Sequence, residues 1–171
     1  THGTPPRSTD HLYGKHTTHF SCADGEGNWV AITATVNTSF GSKVIIPGTG
    51  VIMNNEMDDF SIAPGVPNAF GLIGAEANAV APGKRPLSSM SPTIVLKDGK
   101  PILAVGAAGG PTIITQTLLA IIHTVDFGRP LKEALAQPHF HHQWAPDQIR
   151  IEKKVGEKVL AELRLRGHTL K

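Results

Sequence analysis

The chain has 171 residues, 40% hydrophobic and 18% charged, with a formal net charge of +2, which fits one globular domain with a sizeable core and argues against wholesale disorder. Its Lys and Arg form no stripe and are not interleaved with the few aromatics, so nucleic acid is a poor partner, and no run approaches the roughly 18 apolar residues of a membrane span. Cys22 is the only cysteine, which excludes an internal disulfide.

Residues 1–16, THGTPPRSTDHLYGKH, are polar and rich in turn formers without a period, and read as a linker or tail. The chain begins at Thr1 rather than Met, so it reads as an interior piece of a longer product. From Thr17 to Ala23 and from Trp29 to Val36 the pattern alternates, with Asp24–Asn28 as turn chemistry between, which predicts a hairpin. Setting Phe20 opposite Ile32 and Cys22 opposite Val30 makes one apolar face, with Cys22 as a buried, inert thiol. That register places Thr17 opposite Thr35, their Cβ atoms about 5 Å apart.

A second hairpin is expected from Thr93–Leu96 and Pro101–Val105, joined by Lys97, Asp98, Gly99 and Lys100. Between the hairpins runs a long Gly-, Pro- and Asn-rich connection, and connections of that length are usually functional. Within it PGVPNAFGLIGA, residues 64–75, reads either as a lid or as a packed surface loop. After Pro111, the residues Ile114, Leu118, Ile121, Ile122 and Val125 recur at helical spacing up to Gly128 and Pro130, predicting a buried helix. Shorter helices are expected at Leu131–Ala136 and Val155–Arg166, the latter turning Val159, Leu160 and Leu163 inward with Gly167 as its cap. Strands flanking helices without βαβ alternation predict an α+β layered fold.

Several constellations invite chemistry. Gly109 and Gly110 stand between a strand and a helix, where unpaired N–H groups at the positive end of a helix dipole suit an oxyanion hole, or simply make a tight turn. Asn54 to Asp59 form a polar patch that either holds an ammonium group or is a solvated turn. Ser88, Ser89 and Ser91 either bind a carboxylate or end a loop. His139, His141 and His142 lack the four-ligand spacing of a structural metal site and read as a packed or hydrogen-bonded cluster. No metal or cofactor is expected. Thr17 opens its strand; a threonine made N-terminal by cleavage carries nucleophile and base in one residue, although threonine also simply favours strands.

The runs TTHFSCADGEGNWVAITATVNTSFGS, GVIMNNEMDDFS, KRPLSSMSPTIVLKDG, GAAGG and FHHQW, in that order and spacing, resemble the small subunit of the gamma-glutamyltranspeptidases over nearly all of 17–166. That family belongs to the N-terminal nucleophile hydrolases, so the resemblance implies a four-layer αββα sandwich, here its small-subunit portion. It implies a division into 1–16, the end of a large subunit, and 17–171, the small-subunit catalytic domain.

In that resemblance Thr17 matches the residue that attacks the carbonyl of His16, splits the precursor and then serves as the nucleophile, with Thr35 as its hydrogen-bonding partner. Gly109 and Gly110 match the oxyanion-hole pair. Asn37, Glu56 and Asp59 match contacts to the substrate ammonium, and Ser88 and Ser89 contacts to its carboxylate. Some members have Gln where Glu56 stands. Phe70 falls where an aromatic gate is expected on a loop covering the site.

The activity implied is transfer of a γ-glutamyl group from glutathione and related amides to water, an amino acid or a peptide, in partnership with the large subunit from the same precursor. Location in the periplasm or outside the cell follows from the resemblance alone. The family's carboxylate-binding arginine lies in the large subunit, and its small subunit continues past the position of Lys171 through further strands. Little or no transferase activity is therefore expected of this polypeptide by itself. Rival readings are a β-lactam acylase or polyglutamate hydrolase with the same threonine chemistry, and an inactive unprocessed fragment or binding module.

Overall fold

The computed structural model describes residues 16–171; the expected tail lies outside the described residues except for His16. The elements are β1 (Thr17–Ala23), β2 (Trp29–Thr35), β3 (Thr93–Lys97), β4 (Lys100–Val105), α1 (Thr112–Ile121), α2 (Leu131–Leu135), β5 (Phe140–His141), β6 (Arg150–Ile151) and α3 (Glu157–Leu165). They pair as β1 with β2, β3 with β4 and β5 with β6. Two compact units emerge, one holding His19–Thr33 and Ser89–Lys171, the other Ala34–Ser88 together with the start of β1 through Thr18. No helix among the described residues is long and apolar enough to cross a membrane.

In the first unit β3 and β4 run antiparallel, with Thr93 opposite Val105 and Val95 opposite Leu103 before a bulge shifts the register. Asp98 and Gly99 turn the chain with φ of 52° and 75°, the signs that a two-residue type I′ turn needs and that Asp-Gly supplies. The inward face carries Leu103 and Val105, which pack with Ala120 and, at the edge of the cluster, Val95 and Ile121. Pro111 stands at the head of α1, where a missing N–H loses nothing. From α1 the buried side chains are Ile113, Thr117, Leu119 and Ala120. The helix closes into a π-type turn over Ile122–Asp126.

The inward stripe expected for α1 is therefore wrong: Ile114 and Leu118 are half exposed, at 50% and 51%, while Ile113 is 1% exposed. The stretch TIITQTLLAI is apolar on nearly every side, so two stripes satisfy helical spacing equally well and only packing selects one. In α3 Leu160 is buried as expected and Val159 is not. The cap is as expected: Gly167 has φ +89°, its N–H bonds to Arg164 O at 2.9 Å and that of His168 to Leu163 O at 3.1 Å, which is a Schellman closure.

The hairpin face also departs from expectation. Phe20, Val30 and Ile32 are exposed and Cys22 is an exposed free thiol; the face bearing His19, Trp29, Ala31 and Thr33 is the more covered one. Alternation fixes which residues share a face but not which face is covered. The three histidines do not converge. His139 pairs with Glu152 at 3.4 Å, His142 with Asp147 at 3.0 Å, and buried His141 bonds Thr115 and Gln143 through its two nitrogens, each at 3.0 Å.

The second unit has almost no ladder, only isolated bridges such as Ile45 with Ile52 and Pro67 with Ile73. Asparagine side chains take over. Asn55 Oδ1 accepts from the N–H and hydroxyl of Thr38 at 3.0 and 2.9 Å. Asn68 Oδ1 accepts from the N–H groups of Phe70 and Leu72, both at 3.0 Å. Asn78 donates to Asp59 O at 2.8 Å and accepts from Leu87 N–H at 2.9 Å. Phe60 and Phe70 are its buried aromatics.

Candidate active site

Thr17 opens β1, and its hydroxyl donates to Thr35 Oγ1 at 3.1 Å. That bond, with His19 Nδ1 to Thr33 Oγ1 at 2.8 Å and Asp24 N–H to Asn28 O at 3.1 Å, gives the hairpin the register the apolar pattern predicts. Thr35 is a junction: its hydroxyl donates to the carbonyl of His16 at 3.2 Å and its oxygen accepts from Asn37 N–H at 2.9 Å. A donor on the His16 carbonyl draws charge away from the carbon beside Thr17 Oγ1. Thr17 and Thr35 are both half-buried, which shields that polarisation from water.

Asn37 follows directly. It is buried, adopts φ 75°, a left-handed conformation that Asn tolerates better than most residues, and its amide donates to Asn55 O at 3.1 Å. Asn55 in turn precedes a 3-10 turn over Glu56–Asp59. The expected acidic patch is thus not a freely solvated turn, because Glu56, Asp58 and Asp59 are all half-buried. Burial, reinforced by the hydrogen bond and charge of Asp59, pushes the Glu56 carboxyl up to about 7. Burial also raises Asp59, with the Asp58 charge adding to the rise and the Glu56 hydrogen bond opposing it. Burial and mutual proximity make the two carboxyls resist joint ionisation, and a cation lodged between them would favour the ionised forms.

Asp58 lies within the polar patch read from the sequence, but its role as a loop anchor was missed. Its carboxylate accepts the N–H of Ala69 at 3.0 Å, tying the acidic turn to the loop 64–75. That loop closes on itself through Gly65 N–H to Gly74 O at 3.1 Å and Asn68 N–H to Leu72 O at 2.9 Å. Phe70, expected as a gate, is buried, at 7% exposure. Asn68 in the turn-rich string PNAFG was the signal for the loop's internal closure; nothing local marks Asp58 as its anchor.

In the other unit Gly109 and Gly110 have φ of 135° and 58° and lead into α1. Their carbonyls face the helix: Gly109 O accepts from Thr112 Oγ1 at 2.8 Å, and Gly110 O from Ile113 N–H at 3.0 Å. Gln116 Nε2 bonds Ala108 O at 3.1 Å and Thr112 Oγ1 at 2.9 Å. Among the described residues neither glycine N–H donates a hydrogen bond, so both are available at the positive end of a ten-residue helix. Ser88 is exposed, and Ser89 is half-buried with its carbonyl taken by Ser91 Oγ at 3.1 Å.

The structure thus joins Thr17, Thr35, Asn37, Glu56 and Asp59 in one unit, through direct bonds or through Asn55. It puts Gly109, Gly110 and Ser89 in the other, and Ser88 at the end of the first. A cavity of about 550 Å³ lined by Thr115, His141, Arg150 and neighbours contains none of the expected site residues. Among the described residues no three His, Cys, Asp or Glu side chains gather as a metal site.

Comparison with known proteins assigns the class. A solved mutant of the Helicobacter pylori gamma-glutamyltranspeptidase superposes with a TM-score of 0.87 at 50% identity, over 90% of this chain and 83% of that one. The fold is accordingly the α+β one of the N-terminal nucleophile hydrolases. The family described as gamma-glutamyltranspeptidase matches residues 3–171, and this chain belongs to it. The glutathione hydrolase proenzyme of Escherichia coli K12 is 52% identical over 151 residues, 88% of this chain and 26% of its own length. That of Pseudomonas sp. strain A14 is 53% identical over 150 residues, 88% of this chain and 25% of its own length. The chain spans about a quarter of the length of these curated relatives.

Proposed function

We propose that this chain carries the nucleophile of a γ-glutamyl transferase and glutathione hydrolase that matures by cleavage before Thr17, dividing residues 1–16 from 17–171. The observation that carries the reading is the bonded series from Thr17 to Thr35 to the His16 carbonyl, in the same unit as a half-buried carboxyl pair. The relatives' name, glutathione hydrolase proenzyme, supports it.

In maturation Thr17 Oγ attacks the His16 carbonyl, the Thr17 nitrogen leaves with a proton, and water hydrolyses the resulting ester. His16 departs as a carboxylate and Thr17 gains a free α-amine. With a pKa near 8, that amine is a usable base at neutral pH for its own hydroxyl. Thr17 Oγ then attacks the γ-amide carbonyl of the donor. Gly109 and Gly110 N–H groups hold the oxyanion, the amine leaves with the proton, and an acyl ester remains until water or an amino-acid or peptide amine takes the γ-glutamyl group.

Asn37, Glu56 and Asp59 hold the donor ammonium, and Ser88 and Ser89 its carboxylate. A large subunit from the same precursor completes the site. No step needs a metal or an organic cofactor.

The test is acid-quenched peptide mapping of the complete gene product during turnover of a γ-glutamyl anilide. The expected result is a γ-glutamyl group on the peptide that begins with Thr17. Turnover with no acyl group on Thr17 would overturn the reading.

A further inference from the structure

We propose that His19 is a positioning residue that sets the glycine segment 106–110 against the strand bearing Thr17. The proposal rests on the reading of Gly109 and Gly110 as oxyanion donors. His19 lies two residues beyond Thr17 on β1, on the same face of the strand. Its ring is clamped on both sides: Nδ1 bonds Thr33 Oγ1 at 2.8 Å and Nε2 bonds Ser21 Oγ at 3.0 Å. With both nitrogens engaged, the imidazole plane cannot turn without breaking a bond.

Against that plane lies Gly106, the residue directly after β4. A Cβ built on Gly106 would overlap the ring at Nδ1 and Cε1, so backbone and imidazole meet where no other residue type fits. Gly106 begins the segment that ends in the two candidate donors. The far end of the segment is pinned to α1 by Thr112 on Gly109 O and Gln116 on Ala108 O. The near end is set by His19. The imidazole therefore acts as a spacer of fixed thickness between β1 and the start of the donor segment.

Oxyanion donors act at the transition state, and a displacement near 1 Å can lower the rate by about a hundredfold. Loss of the spacer should appear in kcat rather than in KM.

A double-mutant cycle on the complete gene product tests this, reading kcat, KM and Tm with a γ-glutamyl anilide. Gly106→Ala is expected to lower kcat about a hundredfold and His19→Ala about tenfold, each with KM changed less than about twofold. The double variant should be no slower than His19→Ala, because truncating residue 19 makes room for the methyl group. Thr33→Val, which removes one side of the clamp, should lower kcat by a few-fold in the same direction.

Multiplicative effects in the double variant, or a Tm loss with kcat retained, would overturn the proposal. If Gly106→Ala does not mature, the double variant should mature; failure to do so also overturns it. Acylation of Thr17 in the wild type separates the two ideas. Without it the functional reading falls, and with it an additive cycle removes only the role of His19.

Discussion

In the unit built on β3, β4 and α1, backbone groups are satisfied by strand and helix bonds over an apolar cluster of Leu103, Val105 and Ala120. In the unit from Ala34 to Ser88 the backbone leans instead on asparagine side chains, at Asn37, Asn55, Asn68 and Asn78. The first arrangement is cooperative and apolar. The second lets a long connection hold a defined shape while keeping carboxyl groups half-buried and close together, which a fully apolar core would forbid. The residues expected to bind the donor's ammonium sit in the unit of the second kind, and the expected oxyanion donors sit in that of the first.

The largest expected effect tests the apolar unit. Ile113→Ala should destabilise by about 3 kcal/mol through lost burial and a cavity, whereas its neighbour Ile114→Ala should stay within about 0.5 kcal/mol. Equal losses in Tm would mean that α1 presents the other stripe. The second test addresses the polar unit. Asp58→Ala removes a charge-assisted acceptor from Ala69 N–H and should raise chymotryptic cleavage after Phe70 by about tenfold, while Asp58→Asn keeps most of the protection. An unchanged cleavage rate would show that the loop is held without Asp58.

The smallest effect is in pH. The Glu56 carboxyl, held at about 7 against an ordinary 4.5, keeps its proton in the folded state where the unfolded chain has lost it. Its contribution is therefore fully present below the ordinary value and is lost as pH rises through about 7. Denaturation at pH 5 and at pH 8 should differ in the acid-favouring direction by about 1 kcal/mol from this pair, the full shift being discounted for partial exposure. Glu56→Gln should remove most of that difference. On the proposed role of Glu56 as an ammonium contact, the same proton would compete with the donor, so KM should fall as pH rises across this range, and less so in Glu56→Gln.

Much of this was legible in the chain. Alternation and the Asp24–Asn28 turn predicted a register that brings Thr17 to Thr35, because a two-residue period leaves few pairings that keep one face apolar. The Asp-Gly turn and the Gly167 cap were legible for the same reason: specific backbone dihedrals demand specific residues. The covered face of β1 and β2 and the inward stripe of α1 were not, because each depends on what packs from outside the element. The contact of His19 with Gly106 was likewise invisible, joining residues far apart in sequence with no local sign at either.

The measurement that tests the central claim most directly is the identity of the N-terminal residues in the purified, active gene product, compared between the wild type and Thr17→Ala. The account predicts a wild-type chain beginning at Thr17 and, in the variant, an uncut bond after His16 with activity lowered by about 10³-fold or more. A fully active protein in which His16 and Thr17 remain joined would contradict it.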